Sequence, residues 1–157
     1  MTDIVKYINV ERPIRTVYNQ WTQFEEFPRF MEGVVRVDQT GDDKLHWVID
    51  IGGVSREFDA KVTEQIPDER IAWKSTDGKT HAGVVTFHRL KDDETRVTVQ
   101  MSYDPEGFLE NAADSLGVIS SRVQGDLTRF KEFIEHQPEE TGAWRGKIDR
   151  PGKAAGH

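Results

Sequence analysis

Apolar residues recur along this chain with two different periods, and the change of period divides it into successive stretches. Residues 3 to 10, DIVKYINV, predict a first strand. Ile14, Val17, Tyr18 and Trp21 then fall at i, i+3, i+4 and i+7, one apolar stripe of an amphipathic helix. Pro13 opens that helix, where its missing N–H costs nothing and its φ is already helical. Thr22 and Glu25 have capping-box spacing and predict a second short helix, on which Phe24, Phe27, Phe30 and Met31 share a face. Pro28 disfavours helical geometry at Phe27, so two short turns meeting at an angle are expected.

From residue 33 the period becomes two. Val35 and Val37 alternate with Arg36 and Asp38; Leu45, Trp47, Ile49 and Ile51 point away from His46, Val48 and Asp50. The same alternation carries Phe58, Ala60 and Val62, then Ile71 and Trp73, then Gly83, Val85 and Phe87, then Val97, Val99, Met101 and Tyr103. GDD (41 to 43), Gly52-Gly53, PDER (67 to 70), the loop TDGKTHA (76 to 82) and KDDE (91 to 94) separate these runs. Together they predict six strands in an antiparallel meander with one apolar face. Asp104-Pro105 is an N-cap and N1 pair. Behind it Leu109, Ala112, Ala113, Leu116, Ser120, Val123, Leu127, Phe130 and Ile134 form one stripe of a long helix ending before Pro138. The expected fold class is α+β, a curved seven-stranded antiparallel sheet wrapped around the C-terminal helix, with two short helices between strands 1 and 2. The domain spans 1–137, and 138–157, rich in Gly, Pro and charge, reads as a flexible tail with Trp144 its one adhesive feature.

Composition narrows the partners. The net charge of −7, from 28 acidic and 21 basic residues, opposes binding to nucleic acid or anionic lipid, which need a concentrated positive face. With no cysteine there are no disulfides and no zinc ribbon. No run approaches about 18 apolar residues, and no secretory leader is recognisable, so a cytoplasmic protein without integral membrane insertion is expected.

Candidate chemistry is sparse. His46 and His88 fall on the polar phase of their strands, and His136 stands at a helix C-terminus, where the macrodipole favours it. His81, read as a loop residue, is the one histidine kept as a candidate site residue, because general bases are commonly loop-borne. Metal-ligand spacings, phosphate-cradling loops and cofactor fingerprints are missing, so no metal or cofactor is expected. On the inner face the polar atoms are the indole N–H groups of Trp47 and Trp73, the Tyr103 hydroxyl and Ser75 and Ser120. The strand acids and bases (Arg36, Asp50, Arg56, Asp59, Lys61, Lys74, Arg96) take the outer phase, which argues against a water-activating site inside.

The run YINVERPIRTVYNQWTQFEEFPRFMEGVVRV, then HWVIDIGG, GVVTFHRL and TRVTVQMSYDP, and finally the long helix, resembles the START-like helix-grip (SRPBCC) superfamily over roughly residues 2 to 137. Within it the chain is similar to bacterial polyketide cyclase/dehydrase-type proteins. The resemblance implies a deep cavity between sheet and helix for an apolar or aromatic small molecule. From its own residues, the wall would comprise Trp47, Ile49, Phe58, Trp73, Val85, Phe87, Val99, Met101, Tyr103, Phe27, Phe30, Met31, Leu116 and Ser120. Family cyclases place polar catalytic groups inside, and this inner face departs from that. The leading expectation is therefore a binder or carrier of a hydrophobic molecule such as a lipid, quinone or polyketide. The alternative is a cyclase or dehydratase with Tyr103 and His81 as acid/base candidates. A protein-interaction module using the tail around Trp144 is a second alternative.

Overall fold

The structure is a computed structural model that describes residues 2–41, 43–51, 53–76, 81–103, 115–137 and 139–148. Strand β1 (Thr2–Val10) is followed by helix α1 (Ile14–Trp21) and a 3-10 helix (Phe24–Arg29). Strands β2 (Val34–Gly41), β3 (Lys44–Ile51), β4 (Val54–Ile66), β5 (Arg70–Ser75), β6 (His81–Lys91) and β7 (Glu94–Tyr103) come next, then helix α2 (Ser115–Glu135). The seven strands form one antiparallel sheet in the order β1-β7-β6-β5-β4-β3-β2. The meander is thus in sequence order, and β1 returns across the helical excursion to pair with β7.

Alternation along the strands decides which side is buried. Leu45, Trp47 and Ile49 of β3, Val85 and Phe87 of β6, and Val97, Val99 and Met101 of β7 join Leu127, Phe130 and Ile134 of α2 in one core. The turns use the residues their backbones demand. Gly53 takes φ +81° between β3 and β4, and Asp68 takes φ +62° in the turn before β5, a region Asp tolerates better than most residues.

Three local expectations are corrected. Pro13 precedes α1 in extended geometry, and its carbonyl accepts the Val17 N–H at 3.1 Å. Thr22 ends α1 instead of capping the 3-10 helix: its hydroxyl donates to the Asn19 carbonyl at 2.6 Å, and Glu25 accepts from Gln39 N. Where two short turns meeting at an angle are expected, Phe24–Arg29 form one 3-10 segment that runs through Pro28. The Asp104-Pro105 cap and the helix stripe from Leu109 to Ala113 lie outside the described residues.

Residues 139–148, assigned to a flexible tail on composition, lie along α1. Asn19 and Gln20 are buried on that helix. Asn19 Nδ2 donates to Glu140 (2.7 Å) and its Oδ1 accepts from Arg145 (2.6 Å). Gln20 exchanges two hydrogen bonds with Thr141, and Trp144 N donates to Thr22 Oγ1. Backbone bonds between Gln65 and Ile148 (2.7 and 2.8 Å) fasten the far end to β4. The physical reason is polar satisfaction: buried amides need partners, and this strap supplies them.

Candidate ligand cavity

Between the inner sheet face and α2 lies a cavity of about 110 Å³. Its wall draws on nearly every element: Trp21 from α1, Phe27 from the 3-10 helix, Met31 and Val34, Trp47 and Ile49 from β3, Phe58 from β4, Trp73 from β5, His81 and Val85 from β6, Val99 and Met101 from β7, and Arg122, Val123, Asp126 and Leu127 from α2. An apolar cavity of about 150 Å³ admits benzene, so this one is on the scale of a small ring. A second void of about 10 Å³ shares Trp21, Phe27, Trp47, Trp73 and Val85 with the first. Those side chains therefore stand as a partition between two spaces.

The aromatic geometry fixes the wall. Trp47 and Phe58, directly paired across β3 and β4, stack with centroids 6.0 Å apart and 8° between planes. The His81 ring meets Phe58 edge-on at 5.3 Å and Trp47 at 6.3 Å. Trp73 is paired with Gly83, and a Cβ built there would lie 2.6 Å from the indole Cζ2. Glycine at 83 thus lets the Trp73 ring lie flat against the strand backbone.

His81 is not a loop residue. It begins β6, in phase with Gly83, Val85 and Phe87, and is 5 % exposed. Its backbone N–H donates to Ser75 Oγ at 3.2 Å. Trp73 Nε1 donates towards the ring, 3.4 Å from Nδ1 and 3.3 Å from Nε2, and Nε2 lies 3.2 Å from Met101 Sδ. A tautomer with the proton on Nε2 satisfies both contacts, Nδ1 accepting from the indole. Burial pushes the imidazole pKa down to about 4, so the ring is neutral at physiological pH. The indole N–H groups of Trp21 and Trp47 are buried with no acceptor among the described residues.

Among the described residues, charge enters at one side only. Arg122 Nη1 reaches Glu32 Oε1 at 2.8 Å, and Arg129 Nη1 reaches Glu32 Oε2 at 3.2 Å. Asp126 Oδ1 accepts from Glu32 N (3.1 Å) and Arg129 Nη2 (2.5 Å). Burial raises the Asp126 pKa, with the Arg129 hydrogen bond and the Glu32 N–H opposing it. Among the described residues no cluster of His, Asp and Glu could hold a metal ion, and no helix is long and apolar enough to cross a membrane.

Of the residues expected to form the wall, Phe27, Met31, Trp47, Ile49, Phe58, Trp73, Val85, Val99 and Met101 do so. Phe30 sits behind it, against Trp21 (5.8 Å), Phe130 (5.0 Å) and Phe133 (5.5 Å). Phe87 packs edge-on against Tyr18 at 5.3 Å, and half-buried Ser120 is not in the wall. The side chains of Tyr103 and Leu116 are outside those described. Trp21, Val34, Arg122 and Asp126 join the wall without a signal in the strand alternation. The two charged residues stand on a flank of α2 whose polarity reads as solvent-facing. On the outer sheet face, His46 lies between Asp59 (2.8 Å) and Glu57 (3.0 Å), whose hydrogen bonds raise its pKa.

Residues 10–132 match the family model described as polyketide cyclase / dehydrase and lipid transport. An uncharacterized 17.2 kDa protein of Streptomyces lincolnensis, in the melC2-rnhH intergenic region, is 52% identical over 149 residues, 94% of this chain and 99% of its own. The crystal structure of the Zhui aromatase/cyclase from Streptomyces sp. R1128 has a TM-score of 0.70 at 13% identity, over 91% of this chain and 99% of that one. A START superfamily protein from Mycobacterium smegmatis gives 0.60 at 16% identity, over 82% and 98%. The two structural likenesses concern the fold alone.

Proposed function

The chain belongs to the polyketide cyclase/dehydrase and lipid transport family, with a START-like helix-grip fold, and from that premise we propose that it binds and carries an uncharged or amphiphilic hydrophobic molecule in the cavity between sheet and α2. One observation carries the reading: the wall residues of β2 to β7 are aromatic or aliphatic apart from His81, and that buried imidazole is neutral. Apolar cavities with a few placed polar groups suit small-molecule binding. A lipid, a quinone or a polyketide-like ring would each withdraw apolar surface from water on entry, which is favourable by about 25 cal/mol per Å².

The competing reading is a cyclase or dehydratase. It needs a proton-transfer group with a pKa near the working pH. His81, at about 4, is a weak base, and both its ring nitrogens already have partners in the protein. That favours binding over catalysis.

The test uses fluorobenzene, a single ring on the scale of the cavity, as probe, followed by fluorine NMR. The wild-type protein is expected to shift and broaden the probe signal saturably, and Val99→Trp, which fills the cavity, to abolish the effect. Absence of saturable binding, or equal binding by a folded Val99→Trp protein, rejects the cavity as a ligand site. Organic extraction of natively purified protein, with mass spectrometry of the extract, identifies any natural occupant.

A further inference from the structure

The Glu32 carboxylate occupies a clamp made by two arginines of α2. Its two oxygens are divided between them, Oε1 on Arg122 and Oε2 on Arg129. The guanidinium side chains are mostly covered (27 % and 37 % exposed), whereas the Glu32 side chain is 60 % exposed. The exchangeable member is thus the carboxylate, since an ion pair with one well-solvated partner is weak. Glu32 lies in the turn between the 3-10 helix and β2, flanked by Met31 and Val34 of the cavity wall. Arg122 belongs to the wall itself, beside Val123. The clamp therefore stands where the apolar cavity meets the surface.

We propose that the ligand is a hydrophobic acid, whose apolar body enters the cavity while its carboxylate replaces that of Glu32 on Arg122 and Arg129. This rests on the hydrophobic-ligand reading above and adds a head group to it. Three physical points support the exchange. An arginine fork matches carboxylate geometry, and the 2.8 and 3.2 Å contacts of Glu32 demonstrate that this pair accepts one. The exchange leaves the local charge balanced: two arginines face Asp126 and one further carboxylate, before and after. A chain of net charge −7 repels anions at long range, so an acid needs such a local clamp to be retained.

The experiment compares 3-phenylpropanoate with 3-phenylpropan-1-ol, which share a ring of the size the cavity takes and differ in head group. Dissociation constants are measured by NMR titration of the full chain. The wild type is expected to favour the acid about tenfold, the scale of a charge-assisted hydrogen bond in a partly covered site. Arg122→Gln brings the acid-to-alcohol ratio towards one, and Glu32→Gln, on an exposed turn position, raises acid affinity several-fold by removing the competitor. High salt lowers the preference. Equal wild-type affinities, or a ratio unmoved by both substitutions, overturn the head-group assignment while alcohol binding keeps the cavity reading. If neither compound binds, both readings fall.

Discussion

His81 offers a quantitative test of how dry the cavity is. Its imidazole pKa is about 4 in the folded chain, against 6.5 for an unperturbed histidine. Between those values the unfolded chain binds more protons than the folded one, so stability rises with pH across the window. The contribution is complete above about pH 6.5 and is lost as pH falls towards 4. At 1.36 kcal/mol per pH unit the gap is worth about 3 kcal/mol, of which about 2 kcal/mol has gone by pH 5. The perturbation is His81→Leu, which removes the titration and leaves every carboxylate in place. Urea unfolding of both proteins at pH 7 and pH 5 gives the stability difference at each pH. The wild-type advantage, whatever its sign at pH 7, should fall by about 2 kcal/mol at pH 5. A difference constant within about 0.5 kcal/mol would mean that water reaches the ring and that the neutral-imidazole account of the wall is wrong.

Two other substitutions test the wall and the strap. Gly83→Ala, despite the usual gain from replacing glycine in a strand, should destabilise by about 1–3 kcal/mol, because the new methyl drives the Trp73 indole off the strand. Thermal unfolding and tryptophan fluorescence report it, and an unchanged Tm refutes the close approach. Gln20→Ala should cost about 2–3 kcal/mol in the full chain, from two hydrogen bonds and buried methylene groups, but clearly less in a chain ending at residue 137. A double-mutant cycle measures the coupling, and strict additivity would mean the strap does not satisfy α1.

The architecture was legible because it depends on periods that local sequence carries. Val97, Val99 and Met101 alternate, and the chain does what alternation requires. The strand residues of the wall, from Trp47 to Met101, could be named from phase alone, since a curved sheet has only one concave face. The misses have separate physical causes. His81 was hidden in a run that reads as a loop, although counting back by twos from Val85 places it on the inner face. Arg122 and Asp126 sit on a helix flank bordering both solvent and cavity, a distinction periodicity does not make. Trp21 lies on a stripe that identifies it as buried without saying which space it faces. Asn19 and Gln20 are polar residues whose burial depends on partners about 121 residues later, and nothing near them announces it.

The pairing of β1 with β7 also sets an order of events during synthesis. Val10 meets Thr95 and Thr2 meets Tyr103, so the first strand made must wait for the last. At ribosomal rates of about 5–20 residues per second, that wait is roughly 5–20 s. The strands between, β2 to β7, each pair with a sequence neighbour and can zip as they emerge. Until β7 emerges, the nascent chain therefore holds an unpaired β1 and a growing sheet with an open edge, and its concave face lacks α2. An open edge beside an uncovered aromatic face is the arrangement most prone to intermolecular pairing. The interval before β7 and α2 emerge is when this protein is most exposed to such pairing.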